Sequence, residues 1–281
     1  MASEGTGRPR IGLALGAGGT KGTAHVGVLK VLQNAGVPID CVAGASIGAA
    51  YGAAWLAGYP VERMEEGVLA TSPRDVLAFF AHRLRLDAST FVGRGFYNLL
   101  KNLTFSDLRL PFAAVASDLF EQRRVVLTSG PLLRAVQASI AVPLMARPVR
   151  WGDRYLMDGG FWEQTPVDVA AGMGAERIID VVLGESINLP PPLHPFGRAA
   201  LRQLRGIARS IGPGNFAAAV FLLFTLLNPP RSRRKADVTI RPYVIKISAN
   251  SPFHLALCMK RGEEAARAAL PEIEGLMSET V

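Results

Sequence analysis

Two short apolar runs, each halted by glycine and followed at once by helical spacing, constrain what this chain can fold into more than any other feature. Ile11 to Leu15 (IGLAL) is continuously apolar, as a strand buried on both faces of a parallel sheet must be. It stops at Gly16. From Thr23 to Ala35 the spacing of His25, Val28, Leu29 and Leu32 predicts one apolar helical face, ended by Gly36 and Pro38. Residues 40 to 44 (DCVAG) return as a second strand, and Ile47 to Leu56 continue as a small-residue helix closed by Gly58 and Pro60. Strand, helix, strand, helix in this order opens a right-handed βαβ unit and an α/β fold.

Beyond it, helical pieces around 61 to 70 and 75 to 84, joined by polar turns, predict a helical insertion over about 61 to 107. Strand character resumes at 112 to 117 and 124 to 128, and a helix is expected from Pro131 to Ser139. Thr165 is expected to cap a further helix with Pro166 at its first position and Gly174 at its end, before a buried strand at 177 to 183. The prolines of 189 to 195 (LPPPLHP) mark a linker or loop. Phe216 to Leu227 is apolar on every side, yet well short of the roughly 20 residues that cross a bilayer. Arg231, Arg233, Arg234 and Lys235 follow it. Shallow insertion beside anionic head groups and burial in the core or against a second subunit are both open for this segment. The expected organisation is one domain: a core over 8 to 183, and an extension over 184 to 281 packed on it.

At 281 residues, 49% apolar and 19% charged, the chain can bury a large core and lies far from disordered compositions. Its formal charge of +8 attracts phosphate-bearing partners. The basic residues are not interleaved with aromatics as in a nucleic-acid module, so anionic lipid is the expected partner and nucleic acid is not. Cys41 and Cys258 form neither a disulfide framework nor a metal-ligand spacing. The opening MASEGTGRPR lacks the layout of a secretory signal. A cytoplasmic location, with peripheral contact at the inner face of the cell membrane, is the expectation.

Chemistry concentrates in two glycine-rich turns. Gly16-Ala17-Gly18-Gly19-Thr20-Lys21-Gly22 lies between strand and helix, where bare amides and a helix N-terminus favour an anion or oxyanion. A P-loop needs Ser or Thr after its lysine, and here Gly22 follows Lys21. A dinucleotide fingerprint needs a small third residue where Lys21 stands and an acid ending the second strand, which runs into Gly44 instead. An oxyanion hole and an ordinary strand-to-helix turn remain. Gly44-Ala45-Ser46-Ile47-Gly48 is a G-x-S-x-G at the second strand-to-helix junction, where a nucleophile elbow needs small neighbours around a strained serine. Its base must be a histidine or a carboxylate. His25, His82 and His194 read as core or solvated residues. His254 occupies the late position that a Ser, Asp, His order requires. The carboxylate is Asp158 in Asp158-Gly159-Gly160, where two glycines permit close backbone approach; a tight turn capped by its own Asp is the plainer reading.

Together, the glycine loop, the G-x-S-x-G and the Asp-Gly-Gly resemble the three blocks of the patatin-like phospholipase family. The resemblance extends to Ala116-Ser117-Asp118-Leu119, to Ala138-Ser139-Ile140-Ala141-Val142-Pro143 and to Pro148-Val149. It covers roughly residues 10 to 183 and resumes weakly at 236 to 242. It implies a three-layer α/β/α fold around a mostly parallel sheet, with lipid esters as substrates. It also implies a catalytic dyad of Ser46 as nucleophile and Asp158 as base, with Gly18, Gly19 and the basic Lys21 at the oxyanion hole. No histidine, metal or cofactor is implied. The chain departs from the family pattern at Ala17, where glycine is usual, and at Ala146-Arg147, where an aromatic and a proline are usual; the oxyanion hole is expected to survive the one added methyl of Ala17, and Ala146-Arg147 bear on the shape and polarity of the acyl site. A non-catalytic regulatory protein on the same fold is the alternative of another class, and the presence of Ser46, Asp158 and the glycine loop argues against it.

Overall fold

The computed structural model describes residues 8–74, 93–121, 123–143, 146–184, 234–244, 247–248 and 253–278. The strands are β1 (Ile11–Leu15), β2 (Ile39–Ala45), β3 (Phe112–Asp118), β4 (Arg123–Leu127), β5 (Val149–Trp151), β6 (Arg154–Asp158), β7 (Arg177–Val181) and β8 (Val238–Ile240). The helices are α1 (Ala24–Asn34), α2 (Ile47–Leu56), α3 (Val61–Ala70), α4 (Gly93–Leu100), α5 (Leu132–Ser139), α6 (Val167–Gly172) and α7 (Leu255–Ser278).

One sheet runs in the order β5-β6-β3-β2-β1-β7-β8, with β4 on the other side of β3. The pairs β3-β2, β2-β1, β1-β7 and β7-β8 are parallel, while β4 and β6 pair antiparallel to β3 and β5 antiparallel to β6. Period-two alternation divides the strands between two cores. Ile11, Leu13, Leu15, Val42 and Val181 meet α1, α2, α5 and α7 on one face, whereas Ala14, Cys41, Ala43, Ala113 and Ile178 meet α6 on the other. The second face carries small residues, which lets its layer sit close: a methyl at Gly12 would stand 2.6 Å from Ala175 Cβ. The result is a three-layer α/β/α fold.

Two elements from beyond residue 184 complete it. β8 extends the sheet beyond β7, and α7 crosses α1 so closely that a methyl at Gly27 would meet Met259 O at 2.1 Å and one at Gly262 would meet Ala24 O at 2.0 Å. Lys30 on α1 joins Glu65 of α3 and Glu263 of α7 at 2.8 and 3.0 Å, a half-solvated pairing that orients the helices more than it stabilises them.

Several boundaries differ from the sequence-based expectation. Pro166 stands at the N-cap and α6 starts at Val167, with the Val167 amide turned back to Thr165 O. The sequence-based expectation does not include the β5-β6 hairpin, whose first strand is three residues of half-exposed edge and whose strands are joined by the two-residue turn Gly152-Asp153 (Gly152 φ 59°). In the region 61 to 107, α3, α4 and a single turn at Phe105–Asp107 are described. The expected helical piece at 75 to 84, the proline loop at 189 to 195, the apolar segment 216 to 227, His82, His194, Arg231 and Arg233 lie outside the described residues. Among the described residues no helix is long and apolar enough to cross a membrane.

Candidate active site

β3 organises the site. Residues 114 to 118 of β3 pair with β4 along one edge. β2 pairs with 112 to 115 and β6 with 116 to 118, so both must share the other edge. β2 runs parallel to β3 and β6 antiparallel, and their C-terminal ends therefore meet tip to tip. Ala45 is opposite Val115 and Asp158 is opposite Ala116. Consecutive positions on one strand thus bring together two segments far apart in sequence.

At the end of β2 the chain turns abruptly. Ser46 has φ 53° and ψ −127°, the one positive φ at a non-glycine residue among those described, and α2 begins at the next residue. Such a conformation costs on the order of 1–3 kcal/mol and needs support from its surroundings. The flanking glycines are required by packing: a methyl at Gly48 would lie 2.3 Å from Leu15 O, and one at Gly44 would lie 2.5 Å from Ala49 Cα. The Ser46 amide donates to Ser139 Oγ at 2.9 Å, and the Ser139 hydroxyl donates to Val115 O at 2.5 Å.

Asp158 is fixed through its backbone as well. Its amide donates to Ala141 O at 3.0 Å, and its carbonyl accepts the Ser117 hydroxyl at 2.8 Å. Ser46 Oγ donates to Oδ2 at 2.5 Å and the Gly160 amide to Oδ1 at 2.8 Å. Ser46 and Asp158 are both buried. Burial pushes the Asp158 carboxyl up to about 7, against the smaller downward pull of the Ser46 and Gly160 hydrogen bonds. Gly159 and Gly160 act by close approach, since methyls there would meet Val115 O at 2.0 Å and Ala17 Cβ at 2.6 Å. Among the described residues Asp158 is the side-chain partner of the Ser46 hydroxyl. His254 stands just before α7, where its carbonyl accepts the Cys258 amide.

The glycine loop lies beside this pair. The amides of Gly16 and Ala17 are taken up by Val181 O (3.1 Å) and Gln164 O (2.8 Å), whereas no hydrogen bond to another described residue engages those of Gly18 and Gly19. Gly19 has φ 58° and opens a single tight turn that ends at Thr23, and Gly22 leaves room for Ile47, the residue after Ser46. Lys21 is half-buried; its ammonium neighbours Gly184 and Cys258, and desolvation lowers its pKa. The Cys258 thiol is pushed up to about 11 by burial, so it stays protonated.

Three polar residues that support the site were not assigned a role from sequence. His25 is fully buried and its Nε2 lies 2.8 Å from Gly16 O. A carbonyl can only accept, so Nε2 carries the proton; desolvation brings the imidazole down to about 4 and keeps it neutral. Ser117 and Ser139 are the others. Each is a lone hydroxyl in an apolar segment, a signal that a buried bond exists but not where it goes. Among the described residues no group of three or more His, Cys, Asp or Glu side chains could hold a metal.

The model of the patatin-like phospholipase family matches residues 13–171, more than half of the chain. The chain belongs to the patatin-like phospholipase family. Relatives include the neuropathy target esterase sws of Drosophila melanogaster, 32% identical over 185 residues that cover 62% of this chain and 13% of that protein. An uncharacterised NTE family protein of Mycobacterium bovis is 33% identical over 189 residues, covering 65% of this chain and 51% of that protein. Mouse patatin-like phospholipase domain-containing protein 7 is 34% identical over 184 residues, 62% and 14% respectively. The chain thus matches about half or less of the length of these relatives. Among solved structures, VipD from Legionella pneumophila superposes with a TM-score of 0.53 at 13% identity, over 95% of this chain and 67% of that one, a likeness of fold.

Proposed function

We propose that this chain is a lipid acyl hydrolase in which Ser46 is the nucleophile and Asp158 the general base. The observation that carries the reading is the 2.5 Å contact between Ser46 Oγ and Asp158 Oδ2 at a strained strand-to-helix turn beside an amide-rich glycine loop. Family membership supports an ester-bearing lipid as the substrate class.

In the first half-reaction Ser46 Oγ attacks the acyl carbonyl and its proton passes to Asp158 Oδ2. The amides of Gly18 and Gly19 receive the oxyanion, with Lys21 adding positive potential to the loop. Collapse of the tetrahedral species expels the alcohol, which leaves with the proton from Asp158, and an acyl-serine remains. Water then attacks the acyl-serine with Asp158 again taking a proton, and the fatty acid departs as Ser46 is regenerated. A carboxyl brought up to about 7 suits both directions of transfer near neutral pH. No metal or cofactor enters this scheme. The net charge of +8 supports peripheral contact with an anionic membrane surface.

Hydrolysis of a p-nitrophenyl ester and of mixed phospholipid vesicles by wild type, Ser46→Ala, Asp158→Ala and His254→Ala tests the reading. Loss in the first two variants with retention in the third is the expected result. Persistent turnover in Ser46→Ala, or loss in His254→Ala equal to that in Asp158→Ala, would overturn it. Flotation with vesicles of phosphatidylcholine alone and with added phosphatidylglycerol tests the membrane contact, which requires binding that rises with the anionic lipid.

A further inference from the structure

Ser139 closes α5 and is wholly buried, with a single hydroxyl engaged twice. Its one proton goes to Val115 O, which leaves a lone pair for the Ser46 amide. The place of this hydroxyl in the sheet is informative. Along the β2-β3 ladder the Val42 amide donates to Pro111 O. Rungs of a parallel pair recur every two residues along each strand, so the rung belonging to the Ser46 amide runs to Val115 O. Those are the two groups that Ser139 holds. Its hydroxyl is interposed in the last rung, accepting from one end and donating to the other.

We propose that Ser139 is a positioning residue for Ser46, a wedge that ends the β2-β3 ladder and lets the backbone swing to φ 53°. With the hydroxyl present, both ladder groups are satisfied while the strands stand apart at this point. Without it, the Ser46 amide and Val115 O are two buried partners with nothing between them. Direct closure of the rung then relieves both, and it draws residue 46 toward extended geometry. Oγ leaves the position from which it reaches Asp158, whose own strand is registered on the next residue of β3. The wedge therefore acts on the nucleophile, not on substrate.

This role rests on the hydrolase reading, and the test separates the two. A fluorophosphonate probe is applied to wild type, Ser139→Ala and Ser139→Cys, with the end point counting labelled Ser46 and the time course giving the rate constant per labelled site. Because the rate constant is independent of how many molecules are folded, a loss of stability alone does not move it. The expected result is labelling per site in Ser139→Ala slowed by about tenfold or more, equivalent to about 1.4 kcal/mol on the barrier. On a p-nitrophenyl ester, kcat should fall in parallel with KM little changed. Ser139→Cys, whose sulfur is a weak acceptor, should fall between the two, and it carries the test if the alanine variant does not fold. Wild-type rates per site in the variants that fold would overturn the positioning role and leave the nucleophile intact. Absence of labelling at Ser46 in the wild-type chain would instead overturn the hydrolase reading itself.

Discussion

Ser46 donates its hydroxyl to Oδ2 of Asp158 across 2.5 Å, with both side chains almost wholly removed from water. A base in that position works only when ionised, and burial has brought its titration up to about 7. The value of kcat/KM for a soluble ester should therefore rise as pH increases through about 7 and level off above it, falling about tenfold per unit on the acid side. Asp158→Asn should remove this titration and lower the plateau by about three orders of magnitude. A pH–rate profile of the two proteins checks both statements.

The same carboxyl links pH to stability. Its folded pKa lies above the usual carboxylate value of about 3.9, so between about 4 and 7 the folded state holds a proton that the unfolded chain releases. The Asp158 contribution is thus fully present below about 4 and declines as pH rises through about 7. Asp158→Asn, whose oxygen can accept from the Gly160 amide while its NH2 donates to Ser46 Oγ, should be more stable than wild type at pH 8 by on the order of a few kcal/mol, with the gap closing toward pH 4. Urea unfolding at a series of pH values reads this directly.

His25 has the opposite sign. Its imidazole is held neutral in the folded state to about 4, whereas in the unfolded chain it charges near 6.5. Stability should be lost as pH falls from about 6.5 toward 4, by on the order of 3 kcal/mol from this group. His25→Gln, whose amide can still donate to Gly16 O, should flatten that limb of the urea-midpoint profile. His25→Leu should also lower kcat, because Gly16 O then loses its partner at the base of the glycine loop.

Gly159 offers a steric test. An added methyl would stand 2.0 Å from Val115 O, a backbone atom that cannot rotate away. Gly159→Ala should cost on the order of 3 kcal/mol or more, and fluorophosphonate labelling should fall even in the fraction that folds. Gly172→Ala, at a helical position with open space around the added methyl, is the matched control and should leave both quantities close to wild type.

How much of this was legible in the sequence depended on how local each cause was. The two strand-turn-helix units could be read because continuous apolar runs and glycine stops are short-range signals. Ser46 could be read because the demands of its turn fall on Gly44 and Gly48, two residues away on either side. Asp158 showed only as an acid before two glycines; the hairpin that carries it is two short strands, Val149–Trp151 and Arg154–Asp158, and the pairing of the second with Ala116–Asp118 of β3 is a long-range contact that no local spacing announces. Pro166 looked like a first helical residue and stands instead at the N-cap, a difference set by where the Val167 amide turns back. The face of α1 that buries His25 followed from its spacing, but its bond to Gly16 O did not. The same holds for Ser117 and Ser139: a buried hydroxyl must have a partner, and only the assembled sheet decides which carbonyl that is.

The tip-to-tip meeting of β2 and β6 on β3 has a consequence for how such a chain can change. Both arms are measured against Val115 and Ala116, so the span between Ser46 and Asp158 is fixed by strand register and owes nothing to the length of the excursion from residue 57 to 111. A change in its length that keeps the buried anchors Val61, Met64, Leu100 and Phe105 in the core therefore leaves the distance between the two side chains as it is.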